Sequence, residues 1–161
     1  MSFQSRMIIV KMLRTKSKDI FFPLNQETNF KINKLFRTIT KDKKLSVKTL
    51  YIKGRKFEID NFYDGIIRFK FEQLCDQNLG AEDYLEIAKL SKYIVIENIP
   101  QFDDFNSNQQ QRFITLIDVM YDKNIPLSIS ASQSLDKFTS SKSLEKTFKR
   151  TLSRLYELTS K

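Results

Sequence analysis

Two stretches of this chain, YIVIENI (residues 93–99) and PLSISAS (residues 126–132), decide its fold class. The first is an unbroken apolar run as far as Ile96 rather than an alternating pattern, which is typical of a strand covered on both faces of its sheet. Between them, apolar residues recur at helical spacing: Phe113, Leu116, Ile117, Met120 and Tyr121. A strand, a helix and a strand within about 40 residues predict a right-handed βαβ unit with parallel strands.

A second pattern precedes this unit. Apolar and polar residues alternate over residues 48–72, interrupted by Lys53-Gly54 and Asp64-Gly65. Asp-Gly indicates a tight hairpin, because both central positions of a type I′ turn need positive φ. Residues 48–74 therefore predict a three-stranded antiparallel meander. Its third strand, residues 67–72, is expected to have one solvent-exposed face.

The whole chain is expected to form a single α/β module over residues 1–161. Its predicted parts are a poorly ordered extension (1–12), a strand and helix (13–47), the meander (48–74), a helix with the βαβ unit (80–132) and a C-terminal helix (141–158). We expect Asn25 and Ser107 to cap the first helix and the helix of the βαβ unit, and Ser143 or Ser141 to cap the last.

Two residue types exclude several kinds of site. The chain has no histidine, which rules out Ser-His-Asp and Cys-His catalysis and every histidine-ligated metal site. Its single cysteine, Cys75, rules out disulfide frameworks and thiolate zinc sites, and favours a reduced, intracellular setting. Without a histidine to act as its base, Cys75 is interpreted as a small buried residue rather than a reactive thiol.

Glycine and apolar residues set two further limits. The only glycines, Gly54, Gly65 and Gly80, are far apart, so the chain contains neither a GxxxxGK[ST] phosphate loop nor a GxGxxG turn. No apolar run approaches the roughly 20 residues that span a bilayer as a helix.

The charge is concentrated at one end of the sequence. The formal net charge is +9, and residues 1–56 contain 15 basic and three acidic residues. A basic third can bind phosphates or an acidic partner. Two alternatives stay open: a lysine-rich solvated face, as in the cluster at residues 41–44, or a charge that another part of a longer protein balances.

Polar residues at the ends of the two buried strands are candidates for chemistry. An apolar strand that ends in an acid, as at Glu97-Asn98, has the form of a Walker B element, whose carboxylate holds magnesium. Because no phosphate-loop lysine accompanies it, we interpret Glu97 as a loop or capping acid. Ser130 and Ser132 end the second strand.

Four acids form a second candidate group: Asp103, Asp104, Asp118 and Asp122. Oxygen ligands of this kind suit magnesium. Their spacing matches no metal loop, however, so we interpret them as surface acids and predict no metal site.

Arg150 and Arg154 lie four residues apart on the last predicted helix, away from its apolar stripe. Two guanidinium groups on one face can clamp a phosphate. The alternative is that Arg154 pairs with Glu157, three residues on, while Arg150 is solvated.

Several strings, taken in order, are more specific. They are LRTKSKDIFFPLN (13–25), FKFEQLCDQNLGAEDYLEIAKL (69–90), RFITLIDVMYD (112–122), LSISAS (127–132) and FKRTLSRLYEL (148–158). Together they resemble the ZapE-type AAA+ ATPases, a family of a bacterial cell-division ATPase and its mitochondrial relatives. The resemblance covers roughly residues 11–158.

The resemblance implies a C-terminal half of such an ATPase. In that family the phosphate loop, Walker B acid, first sensor and arginine finger precede the matched region. The implied parent activity is hydrolysis of ATP, with magnesium, to remodel a protein partner at the division ring in the cytoplasm. This chain alone is then expected to have no catalytic residue and to need the missing N-terminal ATPase half.

The resemblance also implies roles for particular residues. Arg150 and Arg154 match the R-T-x-S-R element, and an arginine on a late helix of an AAA+ protein often contacts the γ-phosphate as a second sensor. Four further residues match motif positions without an assigned role: Asp83, Tyr84, Arg112 and Asp118. For these the alternative is helix capping and a buried ion pair.

Two other hypotheses remain. The chain is either a non-enzymatic basic module for nucleic acid or an acidic protein surface, or a truncated remnant that folds poorly. Against nucleic acid, the phenylalanines alternate into apparent core positions rather than forming an exposed stacking platform.

Overall fold

A computed structural model describes residues 19–160, so the predicted extension over residues 1–12 lies outside the described part. The strands are β1 (Ile20–Phe21), β2 (Leu45–Ile52), β3 (Arg55–Tyr63), β4 (Ile66–Lys70), β5 (Tyr93–Ile99) and β6 (Leu127–Ala131). The helices are α1 (Gln26–Thr40), α2 (Phe71–Cys75), α3 (Ala81–Leu90), α4 (Ser107–Asp122) and α5 (Glu145–Leu158).

The described strands form one mixed sheet in the order β1-β6-β5-β4-β3-β2. β5 and β6 are parallel and joined through α4, which confirms the predicted βαβ unit. β2 and β3, and β3 and β4, are antiparallel, which confirms the meander. The fold class is therefore α/β, as predicted.

β4 joins the two predicted units into one sheet. It pairs antiparallel with β3 and parallel with β5, where Ile67 lies opposite Ile94. The sequence did not indicate this contact, because local alternation carries no information about which distant strand is the neighbour.

Both predicted turns adopt the expected backbone. Asp64 has φ 53° and Gly65 φ 92°, and the turn at Lys53-Gly54 likewise has two positive φ values, 50° and 75°. Paired positive values match the right-handed twist of the flanking strands.

The predicted third strand is too long. β4 ends at Lys70, and the short helix α2 begins at Phe71. The Gln73 side chain caps the start of this helix: its Oε1 accepts a hydrogen bond of 2.7 Å from the Lys70 backbone N–H. Phe71 then turns into the core against Phe102 and Phe113, with ring centroids 5.7 and 5.9 Å away.

Helices cover both faces of the central sheet. The main core contains residues of α3, α4 and α5, together with Ile67, Ile94 and Ile96. On the other face, Ile32 and Phe36 of α1 pack on Val95. The predicted wet face on β4 is confirmed in part: Lys70 is exposed, whereas α1 leaves Ile66 and Arg68 only partly exposed.

The helix caps agree with the sequence only in part. Asn25 caps α1 as predicted, accepting a hydrogen bond of 2.9 Å from the Thr28 N–H. Ser107 is not a cap but the first residue of α4, since Asp103 instead caps a 3₁₀ turn over Asp104–Asn106 that leads into the helix. Another 3₁₀ turn precedes α5, whose N-cap is Leu144 rather than either predicted serine.

Candidate functional site

Arg154 joins the last two helices. Its Nη1 donates a hydrogen bond of 2.6 Å to Asp118 Oδ1 on α4, and its guanidinium lies over the Tyr121 ring, 4.7 Å from the centroid. The Tyr121 hydroxyl donates in turn to Glu157 Oε2 on α5, at 2.9 Å. This hydrogen bond to the Glu157 carboxylate raises the pKa of Tyr121. The four side chains form a polar bridge between α4 and α5.

The two candidate arginines therefore differ in environment. The alternative pairing of Arg154 with Glu157 was wrong, because Asp118 takes the arginine and Tyr121 takes the glutamate. Arg150 is exposed and forms no hydrogen bond or ion pair with any residue from 19 to 160, as the solvated alternative predicts. Arg150 and Arg154 therefore do not form a clamp of two equivalent guanidinium groups.

Asp83 fixes the start of α3. Its Oδ2 accepts a hydrogen bond of 2.8 Å from the Gly80 N–H, and its Oδ1 accepts one of 2.7 Å from Arg55 Nη2 on β3. Arg55 also donates from Nη1 to the Asn78 carbonyl, at 2.7 Å. Asp83 thus caps the helix, as the alternative predicts, and its ion pair with the exposed Arg55 ties the helix to the meander.

Tyr84 and Arg112 satisfy the end of α2. The fully buried Tyr84 donates from its hydroxyl to the Leu74 carbonyl at 2.7 Å, and Arg112 Nη1 donates to the Cys75 carbonyl at 3.2 Å. The last carbonyls of a helix have no partner within the helix, so side chains from elsewhere must supply one. Arg112 does not pair with Asp118, whose partner is Arg154.

Cys75 lies in the core beside these groups and is fully buried. Burial raises the pKa of its thiol, and burial likewise raises the pKa of Tyr84. A thiolate is the reactive form of cysteine, so this position suppresses its reactivity. The interpretation of Cys75 as a small buried residue is confirmed.

Glu97 lies within β5 and is neither a loop nor a capping acid, so that prediction was wrong. Its Oε2 accepts a hydrogen bond from Arg68 Nε and its Oε1 one from Arg68 Nη2, both at 2.7 Å. The same Nη2 donates to Asn33 Oδ1 on α1, at 2.6 Å. With both oxygens taken by one guanidinium, Glu97 does not present the free carboxylate of a Walker B acid. No local signal pairs Arg68 with Glu97, because their contact depends on the β4–β5 register.

The four candidate metal-ligating acids are dispersed. Asp103 caps the turn before α4, Asp104 Oδ1 accepts from the Lys142 N–H at 2.9 Å, and Asp118 is held by Arg154. Over residues 19–160, no three acidic or cysteine side chains come together as a metal site would require. In the same range, no helix is both long and apolar enough to cross a bilayer.

An α/β sheet with a parallel centre and helices on both faces is consistent with part of a P-loop ATPase. A family model described as AFG1-like ATPase matches residues 11–161. The chain therefore belongs to the AFG1-like ATPase family.

Individual relatives agree with this assignment. The chain is 27% identical over 138 residues to cell division protein ZapE of Escherichia coli (strain K12), which is 86% of this chain and 37% of that protein. It is 36% identical over 90 residues to lactation elevated protein 1 homolog B of Danio rerio, which is 56% of this chain and 18% of that protein. The resemblance to ZapE-type proteins is confirmed, and the matches span well under half the length of either relative.

Proposed function

We propose that this chain is the C-terminal module of a ZapE-like AAA+ protein that acts in cell division or protein remodelling in the cytoplasm, and that it does not hydrolyse ATP alone. The supporting observation is that residues 11–161 match the family although the chain contains no GxxxxGK[ST] loop. ATP and magnesium would be held by an N-terminal ATPase half, which is the first expected partner. A division-ring protein would be the substrate.

Within this proposal, Arg150 rather than Arg154 faces the nucleotide. Arg150 is exposed and uncommitted among the described residues, so its guanidinium can bind a phosphate without breaking an existing contact. Arg154 would have to leave both Asp118 and the Tyr121 ring. Its role is to position α5, and with it Arg150.

The test is ATP hydrolysis by the purified chain, alone and mixed with the separately produced ATPase half of Escherichia coli ZapE. We expect background turnover from the chain alone and stimulated turnover in the mixture. Arg150→Ala should lower the stimulated rate at least about a hundredfold, because loss of one donor that stabilises transition-state charge typically costs about 10²–10³ in kcat. Lys149→Ala, which removes a neighbouring exposed charge from α5, is the matched control.

Each part of the proposal can fail separately. Steady hydrolysis by the chain alone would overturn its dependence on a partner half. Equal rates for Arg150→Ala and Lys149→Ala in the mixture would remove Arg150 from the nucleotide site.

One observation favours the alternative of a non-enzymatic basic binding module. On the outer face of α1, Phe30, Lys34 and Arg37 are exposed at helical spacing, Lys41 follows directly after the helix, and Phe30 is 61% exposed. Exposed cations can neutralise phosphates, and an exposed aromatic ring beside them can stack on a base. The partner is then nucleic acid or an acidic protein surface.

Fluorescence anisotropy with single-stranded DNA and RNA tests this alternative. Binding should weaken steeply with salt, because neutralised phosphates release counterions. A Lys34→Gln/Arg37→Gln variant should bind more weakly and with a shallower salt slope. An absence of binding at low salt would rule out nucleic acid and leave only the acidic protein surface.

A further inference from the structure

A polar cavity of about 600 Å³ lies at the carboxyl ends of β4 and β5, beside α1. Its lining includes Asn33, Arg68, Lys70, Gln73 and Glu97. The carboxyl ends of parallel strands are where open α/β sheets bind ligands, and the volume is within the usual range for ligand sites of about 300–1,000 Å³. Neither the family motifs nor the proposed function assigns a role to this cavity.

The Arg68–Glu97 ion pair forms one wall of the cavity and is held in place by its hydrogen bonds. The Arg68 side chain is 21% exposed and that of Glu97 9%, and Arg68 also lies over the Phe36 ring, 5.3 Å from the centroid. Glu97 and Asn33 occupy Nε and Nη2 of the guanidinium. Nη1 has no acceptor among residues 19–160, so Arg68 retains N–H donors for a ligand.

Two carboxamides are oriented by their own contacts. Asn33 Oδ1 accepts from Arg68 Nη2, and Gln73 Oε1 accepts from the Lys70 backbone N–H. Both partners are donors, so the amide oxygens must face them and the orientation of each amide is determined. The NH₂ groups of Asn33 and Gln73, which can only donate, are left for a ligand.

The charge of the lining, like its free hydrogen-bond donors, favours a negatively charged ligand that accepts hydrogen bonds. Arg68 and Lys70 are positive and only Glu97 is negative, which leaves one excess positive charge. Lys70 is exposed and forms no ion pair within the described range. A cation is disfavoured, because both oxygens of the one carboxylate already accept from Arg68.

We propose that this cavity binds a compact oxyanion: free inorganic phosphate, or the phosphoryl group of a small phosphate ester. The tetrahedral phosphate offers several acceptor oxygens to the donors of Arg68, Lys70, Asn33 and Gln73. Charge-assisted hydrogen bonds from guanidinium and ammonium groups are the strong ones in such sites.

The test is a titration of the ¹⁵N-labelled full chain at low ionic strength with inorganic phosphate, and separately with AMP. The side-chain NH₂ signals of Asn33 and Gln73 should move along saturating curves, with a dissociation constant on the order of 1 mM. Saturation by phosphate identifies the free ion as sufficient, whereas saturation by AMP alone identifies the ester. If neither ligand gives saturating shifts of these signals, the proposal is wrong.

Variants separate a built site from general electrostatic attraction. Lys70→Gln should weaken binding at least about fivefold, because it removes a charge-assisted hydrogen bond to the phosphate. Lys123→Gln makes the same charge change at an exposed residue outside the cavity and should leave the affinity unchanged. Equal weakening by both variants would overturn the proposal.

Glu97→Gln gives a test of opposite sign. The near-isosteric glutamine keeps the shape of the cavity but removes its only negative charge, so phosphate should bind several-fold more tightly. Weaker binding in a variant that unfolds at the same temperature as the wild type would contradict an anion site. Because these readouts need neither ATP hydrolysis nor Arg150, they are independent of the proposed function.

Discussion

Arg154 Nη1 lies 2.6 Å from Asp118 Oδ1, across an interval of 36 residues in the sequence. The two residues belong to separate strings of the family resemblance, one on α4 and one on α5. Their hydrogen bond and the Tyr121 ring beside it hold the two helices against each other. These motif positions therefore have a structural role in the described part of the chain, whatever Arg150 contacts in a larger assembly.

Arg154→Ala should lower the free energy of unfolding by about 1–2 kcal/mol, through loss of a partly exposed charge-assisted hydrogen bond and a cation–π contact. Arg150→Ala, on the same helix, should change it by less than about 0.5 kcal/mol. Urea unfolding followed by circular dichroism measures both. Equal losses of stability in the two variants would show that the contacts of Arg154 do not stabilise the fold. A wild-type chain without a cooperative unfolding transition would support the hypothesis of a poorly folded remnant.

Asp83→Ala should destabilise the chain by about 2 kcal/mol, because it removes the cap on the Gly80 N–H and the partner of Arg55. Asp83→Asn keeps an oxygen for the cap and should cost less. Hydrogen exchange at the Gly80 amide provides the local readout, and it should accelerate most in the alanine variant. Unchanged exchange in Asp83→Ala would show that the cap does not protect this amide.

Alkaline pH should destabilise the fold. Burial raises the native pKa values of Cys75, Tyr84 and Tyr93 above their ordinary values of 9.0, 10.0 and 10.0. Above about pH 9 the unfolded chain therefore loses protons that the native chain keeps, so stability is full below that pH and falls as the pH rises toward the raised values.

The expected slope is up to about 1.4 kcal/mol per pH unit for each group whose ordinary value has been passed. Urea unfolding midpoints between about pH 8 and 11 measure this slope. The m value depends on the surface exposed on unfolding, so at constant m a change in midpoint reports a change in the free energy of unfolding. Cys75→Ala should flatten the dependence by one proton between pH 9 and 10. An identical pH dependence in this variant would contradict the assignment to Cys75.

Gly65→Ala should be more destabilising than Gly54→Ala. Both glycines have positive φ, which costs a non-glycine residue about 1–3 kcal/mol. A Cβ on Gly65 would also lie 2.8 Å from Lys92 Cγ, whereas one on Gly54 would meet nothing within 4 Å. The thermal unfolding temperatures of the two variants test this order. A larger decrease for Gly54→Ala than for Gly65→Ala would show that the contact with Lys92 does not limit the side chain at residue 65.

The meander and the βαβ unit were predictable because their signals are local. Alternation predicts strands, Asp64-Gly65 requires a turn of particular φ, and Asn25 is a cap whose partner lies three residues away. The end of β4 was missed, because the alternating Phe71 suits a strand and a short helix equally well. Only the core around Phe102 and Phe113 selects the helix.

The candidate site was less predictable. Local spacing favoured Glu157 as the partner of Arg154, but Asp118 on a neighbouring helix takes that place. Glu97 has the sequence context of a strand-end acid, and its pairing with Arg68 exists only because β4 and β5 are adjacent and in register. Ion pairs between distant elements leave no periodicity for sequence analysis to detect.

By itself, the sequence determined the α/β class, the two positive-φ turns, the family resemblance and the absence of a phosphate loop, since each depends on the identity and order of neighbouring residues. Tertiary structure alone decided that β4 lies beside β5, that Arg154 is committed and Arg150 exposed, and that donors converge on the Arg68 cavity. The physical reason is that such contacts depend on which apolar faces are buried together, and that choice minimises the free energy of the whole chain rather than of any one segment.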